Sequence, residues 1–442
     1  MRLKCLKILV LRRNSSSTAF QMIVIALLIV FGSVPCYGWS KGSFSLGSEA
    51  AGSTEEPSGL IYSRSWVEGS LSGSTPFVDR IGKAHFSLRL KGIGSLYYYD
   101  WNREYPSRPY VESDLTEGLA CLKYDSFDLE AGYKIISWGE MIGGSIVDLT
   151  NPRDLREPSQ LIKSENKLAS PMLYTRYVGT VMGALEAYVS PTPAAARAPY
   201  YLGGLAVREA PDLSKTSSEG SNPSADDGEE KSIPTKNLEY GARWGVLFGG
   251  MDMKLLTFRH RSRLPLLIRA EDSQGPHWEA VWPMEQSQGV TASYAFDYVV
   301  LRGEYLNSIP LEDKTIPLNT PKEAETNQGN LAVDFTYGNL LVGFQRQMIV
   351  PVVEIPQVIE TKQWQGMYIQ YQLNHPYNLS FNASAYKLVK SNDMFHKETI
   401  QYEVGEHTRL TASWEWFIAS REPLLLLLEK EDRMIGGVTF IF

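Results

Sequence analysis

The feature that most limits the fold of this chain is a two-residue alternation of apolar and polar side chains, running from about residue 83 to the C-terminus. In residues 378–388, for example, Leu379 and Phe381 alternate with Ser380 and Asn382. A period of two places the two sets on opposite faces of a β-strand. Segment after segment has one apolar and one polar face, which is typical of strands with lipid on one side and water on the other.

The alternation predicts sixteen strands. They are 83–99, 115–124, 127–137, 172–179, 181–189, 238–249, 251–260, 288–297, 298–307, 329–337, 340–349, 363–373, 378–388, 396–404, 408–418 and 434–442.

Tight turns and long loops alternate along these strands. The turns include Asp125-Ser126, Gly249-Gly250, Gly338-Asn339 and His375-Pro376, and the loops include 138–171, 190–237 and 261–287. Barrels inserted from the periplasm show this alternation, and in lipid only a closed sheet pairs every backbone group. We therefore predict an all-β, transmembrane, up-and-down antiparallel β-barrel of about sixteen strands, with fourteen or eighteen as alternatives.

The N-terminal part of the chain differs from the rest. Residues 1–38 join a basic stretch to an apolar run from Met22 to Val34, which predicts a signal peptide, with an uncleaved anchor as the alternative. Residues 39–82 are rich in Gly, Ser and Glu, and we expect a mobile periplasmic lead-in, with a strand at Ile61 to Glu68 as the alternative. The barrel then occupies 83–442.

Composition excludes several function classes. Without residues 1–38, 38 Lys and Arg face 50 Asp and Glu, a net charge of −12, which does not fit a nucleic-acid binder. Cys121 then stands alone, so we expect no disulfide, haem or zinc site. The six His fit no hydrolase or metalloprotease motif. We expect no catalytic residues, no metal and no cofactor, hence no enzyme.

The long loop 138–171 contains the strongest candidate site. Thr150 or Asn151 can cap a short helix whose first turn suits Pro152. The loop either is freely solvated or folds into the barrel mouth as a constriction, and we favour the constriction. Its candidate residues are Trp138, Glu140, Asp148, Asn151, Arg153, Asp154, Arg156 and Glu157.

The same residues resemble a known family. The Trp138-Gly139-Glu140 corner and the run from Asp148 through Asn151-Pro152-Arg153-Asp154 are similar to an uncharacterised family of Gram-negative outer-membrane barrels. Members have a Trp-Gly-Glu followed by an Asn-Pro-x-Asp motif. Their genes often lie near transporters of the RND type, so the resemblance implies traffic in hydrophobic or amphiphilic compounds. It implies no catalytic residues.

Basic side chains on the polar face give a second candidate site. The predicted lumen-facing cations are Arg89, Lys91, Lys123, Lys134, Arg176, Arg243, Arg302 and Arg409. Four acids, Glu130, Glu186, Glu304 and Glu415, face the same way. An excess of cations in the lumen favours the passage of anions. Alternatively, the inward charges only pair with each other across strands.

The C-terminal strand suggests how the chain reaches its membrane. Val438, Phe440 and the terminal Phe442 lie on one face, which resembles the signal read by the barrel assembly machinery. We therefore expect a location in the bacterial outer membrane. The expected partners are its lipids, that machinery, a small solute and, in a homo-oligomer, further copies of the chain, but no nucleic acid.

The expected function is a porin-like channel for small solutes or amphiphiles, with a mild anion preference and a constriction at loop 138–171. One alternative is a plugged structural or interaction barrel that partners a periplasmic or export machine. A second alternative is a lipid hydrolase at the barrel rim.

Overall fold

The structure is a computed structural model of the 442-residue chain. It describes residues 39–53, 60–77, 84–99, 110–142, 144–152, 167–179, 183–191, 238–262, 266–272, 275–281, 284–311, 325–351, 362–374, 378–389, 391, 393–418 and 432–441.

The described regular structure is entirely β. The strands are β1 (Trp39–Ser53), β2 (Leu60–Phe77), β3 (Ala84–Tyr99), β4 (Tyr110–Tyr124), β5 (Phe127–Lys134), β6 (Ser170–Gly179), β7 (Gly183–Ser190), β8 (Glu239–Phe248), β9 (Met251–Arg261), β10 (Leu266–Asp272), β11 (Gly275–Val281), β12 (Met284–Ala295), β13 (Val299–Pro310), β14 (Thr326–Tyr337), β15 (Leu340–Pro351), β16 (Lys362–Leu373), β17 (Leu379–Leu388), β18 (Met394–Val404), β19 (Thr408–Ile418) and β20 (Arg433–Ile441). Within these ranges no helix is long and apolar enough to cross a membrane.

Eighteen of these strands form one antiparallel sheet that returns to its beginning. Neighbours in sequence pair with each other, except that β9 pairs with β12 because β10 and β11 form a separate hairpin. The first strand pairs with the last, from Ser45 opposite Ile441 to Ser53 opposite Arg433. Each strand of the sheet thus has two partners, which is the pairing of a closed barrel.

The two faces of the sheet differ as the alternation predicts. On β14, Asn330 and Asp334 are buried at 1% exposure each, whereas Leu331 and Val333 between them are 69% and 46% exposed. Polar side chains therefore point into the barrel and apolar side chains point out. An outward apolar surface around a polar interior is the arrangement of a transmembrane β-barrel, which confirms the predicted fold class.

Aromatic side chains ring the end of the barrel that has the tight turns. Phe248, Phe296, Tyr298 and Tyr337 are more than half exposed and each lies in or next to such a turn. Aromatic residues gather at this level in membrane barrels because one end of the ring meets lipid and the other meets water.

The described tight turns fall where the sequence predicts them. Asp125-Ser126 and Gly338-Asn339 are both turns, and Asp125 and Gly338 take positive φ values of 50° and 56°. Gly249 and Gly250 are likewise at 58° and 84°, a left-handed conformation that glycine adopts without strain. The predicted turn at His375-Pro376 lies outside the described residues.

All sixteen predicted strands are present, but the barrel has eighteen, the larger of the alternatives. The expected lead-in over 39–82 is wrong, because Trp39–Ser53 and Leu60–Phe77 are the first two strands of the sheet. Both segments are rich in Gly and Ser, so small side chains conceal their period of two. The predicted 261–287 loop also contains the β10–β11 hairpin.

A charge placed on the outer face tests its contact with lipid. We expect Leu331→Arg to lower the free energy of unfolding by about 2–4 kcal/mol in a bilayer, since Leu331 lies on the outward face well above the tight turn. Tyr337→Arg, beside the turn, should change it by only ~0–1 kcal/mol. Equal effects of the two variants in a denaturant titration in vesicles would contradict this orientation.

Candidate functional site

The segment that follows β5 folds into the barrel instead of remaining outside it. We name residues 135–152 the inner loop. Trp138 and Val147 of this loop are fully buried, and they pack in one apolar cluster with side chains from β6, β7, β9 and β13. The Trp138 ring lies 5.4 Å from both the Tyr188 and the Phe258 rings, centroid to centroid. The loop therefore has an apolar contact of its own with the inner wall.

The base of the inner loop is held by Asn151 and Thr150. The Asn151 side chain accepts a hydrogen bond from the Ile136 amide at 2.7 Å and donates to the Lys134 and Leu168 carbonyls at 2.9 Å each. Thr150 donates to the Ile136 carbonyl at 2.7 Å. Both were expected as helix caps, but their side chains join the two ends of the loop.

A buried ion pair also stabilises the base of the inner loop. Asp148 pairs with Lys167, and the two side chains are only 2% and 1% exposed. The Trp138 amide donates to Asp148 at 3.1 Å, and Lys167 donates to the Ile136 carbonyl at 2.8 Å and to Ser137 at 2.7 Å. These bonds matter because a charge buried without hydrogen bonds is strongly unfavourable.

Glu304 of β13 holds the middle of the loop from the wall. Its Oε1 accepts hydrogen bonds from the Glu140 amide at 2.9 Å and the Ser145 hydroxyl at 2.8 Å. Its Oε2 accepts from the Ile146 amide at 3.0 Å and from the same hydroxyl at 2.9 Å. Glu304 is 5% exposed, so one buried carboxylate takes donors from three loop residues.

The loop also reaches the two strands beyond Glu304. The Gly144 carbonyl accepts hydrogen bonds from Asn330 of β14 at 3.0 Å and from Gln345 of β15 at 2.7 Å. A segment that leaves the end of β5 is thus bonded to β13, β14 and β15. The inner loop crosses the interior of the barrel.

Charged groups of the wall face the near side of the loop. Glu186 accepts hydrogen bonds from the Trp138 indole at 3.0 Å, from the Tyr174 hydroxyl at 2.8 Å and from Arg243 at 2.6 Å. The Arg243 guanidinium lies 5.4 Å from the centre of the Trp138 ring. Trp138 is therefore fixed by a carboxylate and a cation of the wall together.

The Trp-Gly-Glu corner has a steric requirement at its centre. A methyl group on Gly139 would overlap with the Ser145 side chain, which lies against it inside the loop. On its other side, Glu140 forms an ion pair with Lys254 of β9. In this motif Trp138 is buried in the apolar cluster, Gly139 lets Ser145 lie against the backbone, and Glu140 attaches the loop to the wall.

The predicted basic residues of the lumen lie among acids. Lys134 pairs with Glu130, Arg302 with Asp334, and Arg409 with Glu403. Arg89 contacts Glu117 at 3.4 Å, and Lys91 contacts Glu68 at 2.5 Å. Arg176 and Arg243 contact Glu186 at 3.9 and 2.6 Å, while Lys123 is exposed opposite Asp128. The structure places ion pairs, most of them between neighbouring strands, where the sequence suggested an excess of cations.

Some candidate residues cannot be placed. Arg153, Asp154, Arg156 and Glu157, and with them the expected short helix, lie outside the described residues. So does Phe442, whereas Met434 and Phe440 of β20 are 54% and 39% exposed on the outer face.

Several residues that hold the loop are absent from the sequence-based candidates. They are Lys167, Lys254, Asn330 and Gln345. The last three are polar residues at inward positions of strands, so the alternation predicts that their side chains point into the barrel but does not predict their partners. Lys167 lies within a loop, where no alternation predicts the direction of its side chain.

One Ser–His contact bears on the hydrolase alternative. His260 Nε2 lies 2.9 Å from the Ser287 hydroxyl, and its Nδ1 lies 2.9 Å from the Arg261 carbonyl oxygen. Both side chains are fully buried on the inner face, which separates them from lipid. Within the described part of the chain, no cluster of His, Cys, Asp or Glu could hold a metal ion.

The structure is similar to known protein structures. OccAB4 of Acinetobacter baumannii superposes with a TM-score of 0.51 at 7% identity, over 92% of this chain and 99% of that one. OccAB3 of the same organism gives 0.49 at 10% identity, over 91% and 98%. A triple mutant of the Rhodopseudomonas blastica porin gives 0.37 at 9% identity, over 90% and 99%. No family model and no curated protein matches the sequence. The OccAB4 likeness supports the barrel fold.

The Glu304 contact can be removed without changing the size of the side chain. In Glu304→Gln one acceptor oxygen becomes an NH2 group that faces the donors of the loop. Because hydrogen bonds to a charged group contribute about 1.5–3 kcal/mol, the amides of 140–147 should exchange with deuterium roughly tenfold faster or more. The control is Glu117→Gln, a wall glutamate that pairs with Arg89. Unchanged exchange in Glu304→Gln would mean that the loop does not depend on this carboxylate.

Proposed function

We propose that this chain is an outer-membrane, porin-like channel that passes small solutes or amphiphiles with a mild anion preference, narrowed by loop 138–171. The observation that carries the proposal is the inner loop, bonded to both sides of the barrel interior through Glu186, Lys254 and Glu304. An eighteen-stranded barrel would otherwise be wide enough for an aqueous channel. A loop held across it reduces the opening and brings the passing solute against the wall.

The outer-membrane location follows from the kind of barrel. Its outward face is apolar, its tight turns are ringed by aromatic residues, and its last strand has the alternation of an assembly signal at Val438 and Phe440. Outer-membrane lipids and the barrel assembly machinery are the partners that this implies, with further copies of the chain if it assembles as a homo-oligomer. The function of such a barrel is passage, not catalysis.

The anion preference rests on unequal exposure within the ion pairs of the lumen. Arg89 and Lys91 are 42% and 46% exposed, against 29% for Glu117 and 31% for Glu68. Arg176 is 47% exposed while Glu186 is 8% exposed. At these three pairs a solute in the water of the lumen therefore meets the cation more than its partner acid, and exposed cations attract anions.

The alternative of a plugged structural or interaction barrel is favoured by the same loop, because Trp138 and Val147 are packed as in a permanent core. The resemblance to the Trp-Gly-Glu family adds hydrophobic or amphiphilic cargo near a transporter of the RND type. A measurement of ion conductance by the inserted protein separates the open channel from the plugged barrel.

Shortening the loop tests whether it narrows the channel. Refolded protein in a planar bilayer should show steady single-channel conductance. Replacement of residues 139–147 by a short Gly-Ser linker should raise it several-fold, because the contacts that hold the loop to Lys254, Glu304 and Gln345 are then lost. No conductance in either protein, shown to be folded and inserted, would favour the plugged barrel.

Charge variants test the selectivity separately. Arg89→Gln/Lys91→Gln and Arg153→Glu/Arg156→Glu should each lower the anion-to-cation permeability ratio, the first at the wall and the second in the loop. Reversal potentials in a salt gradient measure this ratio. The control is Arg346→Gln, because Arg346 bonds to Gln363 on the outer face. A ratio that stays the same in all three variants would contradict the anion preference.

A further inference from the structure

We propose that one row of alternating charges on the inner wall is a path for small zwitterionic solutes, which guides them between the tight-turn end of the barrel and the inner loop. The row consists of Lys123, Asp128, Arg176, Glu186 and Arg243, and we name it the charge row. The proposal rests on the proposed channel and specifies the class of solute that it passes.

The register of the strands assembles the charge row. Lys123 on β4 lies opposite Asp128 on β5, and Asp128 lies opposite Arg176 on β6. Arg176 lies opposite Glu186 on β7, and Glu186 lies opposite Arg243 on β8. Five consecutive strands thus contribute one charge each, in directly paired positions, and the sign changes at every step.

The row begins at the tight-turn end of the barrel and ends at the inner loop. Lys123 and Asp128 are each two residues from the Asp125-Ser126 turn, whereas Arg243 is six residues from the Gly249-Gly250 turn. Strands in such a barrel are tilted, so each step of a row of paired residues lies farther from the tight-turn end along the barrel axis. At its upper end Arg243 reaches the Trp138 carbonyl oxygen at 3.5 Å, inside the inner loop.

The lower part of the row is accessible to a solute. Lys123 is exposed, Asp128 is half-buried, and 47% of the Arg176 side chain is exposed. The Arg176–Glu186 contact measures 3.9 Å, which is longer than a hydrogen bond. Glu186 and Arg243, by contrast, are bonded to each other and to Trp138. The row thus passes from open charges to charges fixed against the loop.

The alternation selects for a solute with both charges. Directly paired residues have their Cβ atoms about 4.5–5.5 Å apart, so two side chains of opposite charge are close enough to contact the ammonium and the carboxylate of one small molecule together. At each step a zwitterion finds a partner for both groups, whereas a simple anion also meets Asp128 or Glu186. Several weak sites in succession favour entry without trapping the solute, as conduction requires.

The experiment compares three solutes in proteoliposomes that contain the full mature chain. Serine is the zwitterion, glycerate is the anion with hydroxyl in place of ammonium, and erythritol is the neutral solute. The test variant is Asp128→Asn/Arg176→Gln, which removes one charge of each sign and leaves the net charge unchanged. The control is Lys397→Gln/Glu403→Gln, which does the same to two lumen-facing residues outside the row, the partners of Glu415 and Arg409.

We expect the serine-to-erythritol flux ratio to fall several-fold in the test variant and to stay at the wild-type value in the control. The glycerate-to-erythritol ratio should change much less. A serine ratio equal to the wild-type value in the test variant, or an equal fall in the control, would overturn the charge row. Erythritol flux through the wild type reports the channel itself, so its absence would refute the proposed function first and the charge row with it.

Discussion

The constraint on which the rest of the structure depends is that a backbone surrounded by lipid must find its hydrogen-bond partners within the protein. A sheet with free edges fails this requirement, and the pairing of β1 with β20 removes those edges. Eighteen strands then enclose a wide interior, whose wall is polar because every second side chain points inward. The size of the interior and the polarity of its wall are both consequences of closure.

A wide polar interior explains how an irregular loop can lie inside a membrane protein. The inner loop has no strand or helix, so its main-chain groups need other partners. Glu304, Asn330 and Gln345 of the wall supply them for the amides of Glu140 and Ile146 and for the Gly144 carbonyl. The side chains of the wall thus supply hydrogen-bond partners to the backbone of the loop, as neighbouring strands supply them to each other in the sheet.

Much of this fold could be predicted from the sequence, because lipid imposes a period of two on every strand that meets it. The period is concealed in β1 and β2, where Gly and Ser leave no contrast between the faces. The loop candidates Trp138, Asp148 and Asn151 do lie together inside the barrel, although Asn151 joins the ends of the loop and was expected to cap a helix. Lys254 and Glu304, which contact Glu140 of the same loop, lie more than a hundred residues later, and only the register of the closed sheet brings them to the loop.

The long sequence separation between the inner loop and Glu304 has a consequence for the order of events as the barrel forms. The loop follows β5, yet its anchors lie on β9, β13, β14 and β15. Contacts this distant in sequence are made only after the intervening chain has been ordered, at an entropic cost that local contacts do not bear. Docking of the loop is therefore a late step, which follows the curling of more than half of the sheet. The contacts that narrow the finished barrel therefore form only when its wall has closed in the correct register.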